Sequence, residues 1–424
     1  MISDTELQSK KVFSKPQMDT SKLRSFGPAA WVALALLGFS SGLPLALTDS
    51  TLKAWLREAG LDLKTIGFFA LVGLPYNLKF LWAPFLDRYS LPFLGRRRGW
   101  MIVTQLLLAG ALFFMSQGDP KGDLAWFAAL ALGIAFLSAS QDIVADAWRT
   151  EKLPKAHQGT GVALWIGAYR VALLAAGAGA LIIAEHLGWA AAYRLMATLA
   201  LIGAVGTILA GEPQDIRPPK TLKEAVVEPW KDFLTRNGAI IALGFIVLYK
   251  LGDNLAASLT VPFLLDCGYQ KDVIGAITKG VGLPALIVGG LVGGFLMKNW
   301  PLRRSLFVFG IIQVFAVLSL LLPALLAKHN TLLGIVIAME NLGFGMGTSA
   351  YVALIMRLCN PAYTGTQFSL LTSLSALPRT LLASPAGYVA AMLGWAGYFM
   401  MCAMAALPGL MLLALWNRWG PLEE

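Results

Sequence analysis

Charge is what this sequence has least of. Of its 424 residues, 14% are Asp, Glu, Lys or Arg and 57% are hydrophobic, whereas a soluble domain carries roughly 25% charged residues. That shortage excludes an ordinary water-facing globular domain. Histidine and cysteine are also scarce, with three of each. Cys267, Cys359 and Cys402 are far apart and match neither a metal-ligand spacing nor a disulfide framework. His157, His186 and His329 each fall in a short loop at the edge of an apolar run, and a nucleophile elbow is absent. A membrane-bound acyl- or glycosyltransferase, which needs catalytic His, Asp or Glu near an aqueous loop, therefore finds no support. No metal and no cofactor is expected. No cleavage-site pattern follows the first apolar block, so residues 1–25, with Lys10, Lys11 and Lys15, are expected to stay as a polar N-terminal arm.

What is abundant is apolar sequence in blocks of about twenty residues, the length that crosses a hydrocarbon layer roughly 30 Å thick as a helix. A spanning segment must satisfy its own backbone hydrogen bonds, which makes helix the default. Twelve helices are predicted: α1 29–52, α2 64–85, α3 100–117, α4 124–148, α5 158–184, α6 188–210, α7 238–263, α8 272–296, α9 303–325, α10 331–356, α11 365–391 and α12 394–417. The expected fold is an all-α membrane protein of two six-helix bundles. The expected divisions are an arm at 1–25, a bundle at 26–210, a linker at 211–237 and a second bundle at 238–424. The linker is rich in proline and charge, and 221–233 within it can form an amphipathic helix on the membrane surface or serve as a solvated tether.

The net charge of +10 does not point to nucleic acid, because of where the charge sits. Twenty-two of the 34 Lys and Arg residues lie in alternate loops and the termini. This asymmetry is the positive-inside rule, and it predicts that both termini and the linker face the cytoplasm.

A faint repeat links the two halves. Gly67 precedes Gly73-Leu74-Pro75 in α2, and Gly275 precedes Gly282-Leu283-Pro284 in α8. Helix α5 opens with Gly159-Thr160 and carries Arg170, while α11 opens with Gly365-Thr366 and carries Arg379. Half-repeats of this kind belong to alternating-access carriers, whose site lies at mid-membrane between the halves.

Ionisable groups inside a bilayer are costly and normally face a polar interior. Arg170 and Arg379 reach mid-depth without a local acidic partner, and with Lys79 they suit an anionic substrate, since guanidinium pairs bidentately with carboxylate. Lys250 and Asp253 share a helical face, as do Asp49 and Lys53, so a structural ion pair competes with a functional role for each. Asp142, Asp253, Glu340 and Asp49 are the candidates for carrying a proton. Gln141, Asn254 and Asn341 stand beside three of these and offer hydrogen bonds to hydroxyls and amides. Trp82 and Trp165 lie deeper than the other tryptophans, where they either stack on a sugar or pack against neighbouring helices.

Between α2 and α3 the chain reads Asp87-Arg88-Tyr89-Ser90-Leu91-Pro92-Phe93-Leu94-Gly95-Arg96-Arg97-Arg98. This resembles a stretched form of the loop motif of the major facilitator superfamily, an Asp-Arg pair ahead of a glycine and a basic run. Asp87 can bind helix N-termini or arginines of the neighbouring bundle, and Arg88 can reach Asp146. With Arg96, these residues are the candidate gate.

Other runs are similar to the AmpG-type muropeptide permeases of that superfamily: 38–48 (GFSSGLPLALT), 61–69 (LDLKTIGFF), 79–84 (KFLWAP), 95–100 (GRRRGW), 138–144 (SASQDIV), 249–253 (YKLGD) and Glu340-Asn341. They cover both halves. The resemblance implies a proton-driven importer of GlcNAc-1,6-anhydro-MurNAc, with or without peptide, across the bacterial inner membrane. That import feeds peptidoglycan recycling and, in some bacteria, β-lactamase induction. The implied partners are the muropeptide, protons and membrane lipid, with the chain working as a monomer. The alternative on the same fold is a carrier of another anionic sugar, peptide or acyl-nucleotide conjugate.

Overall fold

The computed structural model describes residues 26–213, 218–326 and 328–421, with all of their side chains except those of residues 63, 64, 70, 272 and 377–384. The expected N-terminal arm lies outside the described residues. Among the described residues, all regular structure is helical. Helix α1 runs Pro28–Thr48 and continues beyond a break at Asp49 as Ser50–Glu58. Helices α3 (Arg96–Met115), α4 (Leu124–Lys152), α9 (Leu302–Ser319) and α10 (Asn330–Leu358) fall where the apolar blocks predict them.

Two helical runs are too long for one crossing. Lys155–Leu209 has 55 residues and Thr364–Leu412 has 49, and at 1.5 Å per residue each would stretch to more than twice a bilayer core. Each leaves helical geometry at one glycine, Gly188 (φ 80°, ψ 163°) and Gly394 (φ 67°, ψ 169°). Positive φ suits glycine, which has no Cβ to clash. Both ends of the first run lie together: Gln158 meets Arg357, and the carbonyls of Thr207 and Ile208 meet Arg98. The run is thus α5 followed by α6, and the second is α11 followed by α12. Leu187-Gly188-Trp189-Ala190 and Leu393-Gly394-Trp395-Ala396 are the same four residues at equivalent turns, a second trace of the internal repeat.

Helix α2 departs from the expectation of one continuous helix. It is a chain of short pieces, Leu63–Phe68, Phe69–Gly73, Leu74–Leu78, Lys79–Leu81 and Ala83–Arg88. The cause lies in Gly67, Gly73, Pro75 and Pro84: proline removes a backbone donor and crowds the preceding turn, and glycine offers little resistance to bending. Helices α5 and α8 each contain one wide π turn, at Ala175–Gly179 and Thr278–Gly282.

The buried side chains form three cores. One lies wholly within residues 43–200, and a second wholly within 255–403. The third draws on both halves, joining Ile143, Trp148 and Trp165 to Met297, Tyr351 and Phe368. Its surroundings include the loops that carry most of the basic residues, and that side is called the basic end below. The halves therefore share a core at the basic end and keep separate cores at the other.

The linker contains a helix, Leu222–Leu234, capped by Thr221, which accepts from the Glu224 N–H at 3.1 Å. Ala225, Pro229 and Phe233 are buried against the protein, while Leu222, Val226, Trp230 and Leu234 stay exposed. The helix packs on both the last turn of α2 and the start of α11, so it is docked to both halves rather than being a free tether.

Candidate functional site: a closure at the basic end and a charged interior

At the basic end the two halves close on one another around Asp87, the candidate gate residue, which is fully buried. Its carboxylate accepts from the N–H groups of Gly365 (3.2 Å) and Thr366 (2.7 Å) and from the Thr366 hydroxyl (2.7 Å). The first turn of a helix has N–H groups without internal partners, and an anion there also meets the positive end of the helix dipole. Gly365 permits the approach: a Cβ at that position would sit 2.7 Å from the Asp87 oxygen. The same carboxylate accepts from Arg97 Nη1 at 2.7 Å.

A charge network anchors this contact within the first half. Glu151 accepts from Arg97 (2.5 Å) and Arg96 (3.0 Å), and all three side chains are nearly excluded from solvent. Glu212 caps the start of α3 through the N–H groups of Arg97 (2.7 Å) and Arg98 (3.1 Å). Arg96 therefore acts through Glu151, and Arg97 forms the direct link to Asp87. Arg88 does not reach Asp146. Its guanidinium lies 5.3 Å from the Tyr89 ring centre, and Asp146 instead pairs with Arg149 (2.8 Å) and Lys79 (3.7 Å).

The second half answers with a related contact. Gly159 and Thr160 at the start of α5 press on the end of α8, where the Thr160 hydroxyl donates to the Gly294 carbonyl at 3.3 Å. A Cβ on Gly294 would stand 2.5 Å from the Gly159 carbonyl oxygen. The α2–α11 and α5–α8 contacts thus relate the halves pseudo-symmetrically, but only the first carries a carboxylate. Across the same closure, Arg357 donates to Gln158 at 3.0 Å.

The linker helix braces this closure. Asp232 accepts from Gln367 (2.9 Å) and Asn360 (3.1 Å) and pairs with Arg236. Partial burial works to raise the Asp232 pKa, but the hydrogen bonds from Gln367 and Asn360, with Arg236, outweigh it and hold the carboxyl below its ordinary value. Next to this brace, Cys359 is buried, and burial pushes its thiol well above the ordinary cysteine range.

Behind the gate, the first half holds Lys79, Asp142, Asp146 and Arg149 within mutual electrostatic reach. Arg170 is half-buried beside Tyr169, which in turn lies near Asp142. Two candidates for contacting a substrate are used in packing instead. Trp165 is 5% exposed, with the Arg149 guanidinium 4.6 Å from its ring centre. Gln141 is 1% exposed and donates to Ser40 at 3.0 Å, tying α4 to α1. Trp82 is half-buried; its indole donates to Ser140 at 3.0 Å and its ring packs on Phe136.

In the second half, Lys250 pairs with Asp253 at 3.0 Å, and Gln313 donates to the same carboxylate at 2.5 Å. The Lys250 ammonium also sits 4.1 Å from the Phe344 ring centre. Asp253, Gln313, Glu340 and Phe344 line one small void, which brings α7, α9 and α10 together around two carboxylates and one ammonium. Gln313 carried no sequence signal of its own, because it lies sixty residues from its partner. Asn254 is half-buried, and Asn341 donates back to Ile337 at 2.9 Å. Arg379 lies outside the residues whose side chains are described.

Far from the basic end, Asp49 pairs with Lys53 and shares with Lys279 a cavity of about 290 Å³. The walls of this cavity include Gly177 and Ala178, within the wide turn of α5, and Lys279 lies in the wide turn of α8. Wide turns recur at functional sites because they re-aim side chains out of the helical register. The two cross-half wide turns thus face one space, with a carboxylate and an ammonium at its edge.

The Major Facilitator Superfamily model matches residues 34–383. The anhydromuropeptide permease of Escherichia coli K12 is 48% identical over 399 residues, covering 93% of this chain and 81% of that one. A Haemophilus influenzae protein is 40% identical over 392 residues, covering 89% of this chain and 92% of its own. Among solved structures, the transporter FucP in its outward conformation matches with a TM-score of 0.68 at 13% identity, covering 91% of this chain and 98% of that one. The human organic anion transporter TETRAN matches with a TM-score of 0.60 at 16% identity, covering 91% and 97%. With its helices in two halves around a charged interior, and with relatives that are transporters rather than enzymes, this chain belongs to the Major Facilitator Superfamily.

Proposed function

We propose that this chain imports anhydro-muropeptides, GlcNAc-1,6-anhydro-MurNAc with or without peptide, from periplasm to cytoplasm by proton-coupled alternating access. The observation that carries the reading is the 48% identity, over 93% of the chain, to a permease named for that substrate class. The interior supports it: Arg170 and Lys79 offer cations to the substrate carboxylates, with Arg379 assigned to the same role from the sequence alone, and Asn254, Asn341 and Trp82 offer hydrogen bonds and a ring to the sugars. The positive-inside rule favours a cytoplasmic position for the gate. With that orientation, the shared core there and the separate cores opposite support a carrier open to the periplasm, with Asp49 and Lys279 at its mouth. Residues 26–210 and 238–424 would rock as two bodies, with 211–237 joining them.

For the proton, Glu340 and Asp142 are favoured over Asp253, whose carboxylate already holds Lys250 and Gln313. The test is uptake of labelled anhydro-muropeptide into proteoliposomes with an inward proton gradient. Accumulation that a protonophore abolishes, and that Glu340→Gln or Asp142→Asn uncouples, supports the reading. Accumulation indifferent to the gradient removes proton coupling from it.

A further inference from the structure

A larger cavity lies away from the space between the halves. Near the basic end, α9 and α12 leave a groove of about 710 Å³ between them. It opens on the lipid-facing surface, where Phe307 is 50% and Met411 67% exposed. Its walls follow from helical spacing: Arg303, Phe307 and Ile311 stand four apart along α9, and Leu407, Leu410 and Met411 recur at intervals of three and one along α12. Gly310 brings the two helices together at its floor, where a Cβ would fall 2.3 Å from Leu410 Cδ2. From Arg303 to Ile311 the apolar wall is about 12 Å long.

One end of this groove is charged. Arg303 and Arg304 line it at the first turn of α9, next to Trp300, whose ring centre lies 4.6 Å from the Arg304 guanidinium. In the first half, Arg98 at the start of α3 donates to the carbonyls of Thr207 and Ile208 (both 2.8 Å) and so ties α3 to the end of α6. The second half keeps an open apolar groove with two guanidinium groups at its rim.

We propose that the α9–α12 groove is a binding site for one anionic phospholipid. Its acyl chain lies along Phe307, Ile311 and Leu407, and its phosphate pairs with Arg303 and Arg304. The charge pattern selects the occupant. An apolar trough in a membrane protein takes a hydrocarbon chain, and paired guanidinium groups at the headgroup level take a phosphate in bidentate geometry. A zwitterionic headgroup would bring its own cation towards two arginines, so a net negative lipid is preferred.

The test is native mass spectrometry of the purified, delipidated protein titrated with phosphatidylglycerol or with phosphatidylcholine of the same acyl chains. The parent protein should retain phosphatidylglycerol about ten- to thirty-fold better, the worth of two basic side chains near an anionic headgroup. Arg303→Gln with Arg304→Gln should remove that preference, and Lys121→Gln with Lys328→Gln should keep it. Ala414→Trp, which fills the groove, should weaken retention of both lipids. Equal retention of the two lipids by the parent overturns the proposal, as does a preference that survives the double arginine substitution. Undiminished retention in Ala414→Trp would also overturn it.

Discussion

The gate gives a quantity that a single substitution can move. Asp87 is bonded on both sides of the closure, but only its contacts to Gly365 and Thr366 cross between halves; the Arg97 contact lies within one half and does not depend on closure. In Asp87→Asn the amide keeps one acceptor oxygen, loses the charge facing the α11 N-terminus, and turns an NH₂ group towards one of its former donors. One charge-assisted hydrogen bond is worth about 1.5–3 kcal/mol, and a charge at a helix N-terminus about 0.3–1 kcal/mol. The closed basic end should therefore lose about 2–3 kcal/mol relative to the open one, which is roughly 30- to 150-fold in their ratio. Cys359 reports on this directly. It is 9% exposed and lines a cavity at the basic end, beside the closure, with Arg357 and Thr364. Burial also raises its pKa, so it stays an unreactive thiol while the gate is shut. With Cys267 and Cys402 replaced by serine and alanine, maleimide labelling of Cys359 should accelerate by that factor for as long as the open form is the minor one. An unchanged rate in Asp87→Asn protein that keeps its thermal midpoint would refute the gate.

Three further outcomes follow from the same structure. Arg170→Ala should abolish anhydro-muropeptide uptake and leave folded protein in the membrane, so full uptake would remove Arg170 from the substrate site. Glu151→Gln leaves the buried Arg96 and Arg97 undercompensated; breaking a buried pair costs about 3–5 kcal/mol, and the thermal midpoint should fall by about 5 °C or more, whereas an unshifted midpoint contradicts the network. The Asp232 carboxyl is held below its ordinary pKa in the docked linker. A depressed pKa adds stability that is full above the ordinary carboxylate value and lost as pH falls through the folded one. Hydrogen-exchange protection of residues 222–234 should thus be level from pH 7 to 5 and drop only in stronger acid; a drop near pH 6 would rule this brace out.

Much of the fold was legible because a bilayer allows few choices. Twelve apolar blocks with alternate basic loops leave little besides twelve helices, and the Gly-Thr pairs at 159–160 and 365–366 are the contact points of both cross-half closures. Asp87 was singled out by its place in a loop that resembles the superfamily motif, and its contacts to the α11 N-terminus and Arg97 are of the kind that motif suggested. Partners distant in sequence were not legible. Glu151 gathers Arg96 and Arg97 from more than fifty residues away, and Gln313 reaches Asp253 from sixty. Nothing local marks such residues, because their identity depends on which helices become neighbours. Arg88 was misjudged for the converse reason. Its nearness to Asp146 assumed a straight α2, but the glycine and proline breaks redirect the end of that helix, and Arg149 on the next turn of α4 takes Asp146 instead. For Trp165 and Gln141 depth alone left contact with substrate and packing both open, because their burial depends on which face of each helix the neighbours cover.

The most direct test of the carrier reading is solute counterflow, which needs no driving force. Proteoliposomes loaded with unlabelled GlcNAc-1,6-anhydro-MurNAc are diluted into a trace of the labelled compound, with no proton gradient. The account predicts transient accumulation of label that requires both the internal sugar and the protein, and that unrelated anionic conjugates inside the vesicles do not support. Folded protein that gives no such overshoot, or gives it equally with any internal anion, would contradict the assignment of anhydro-muropeptide as the substrate.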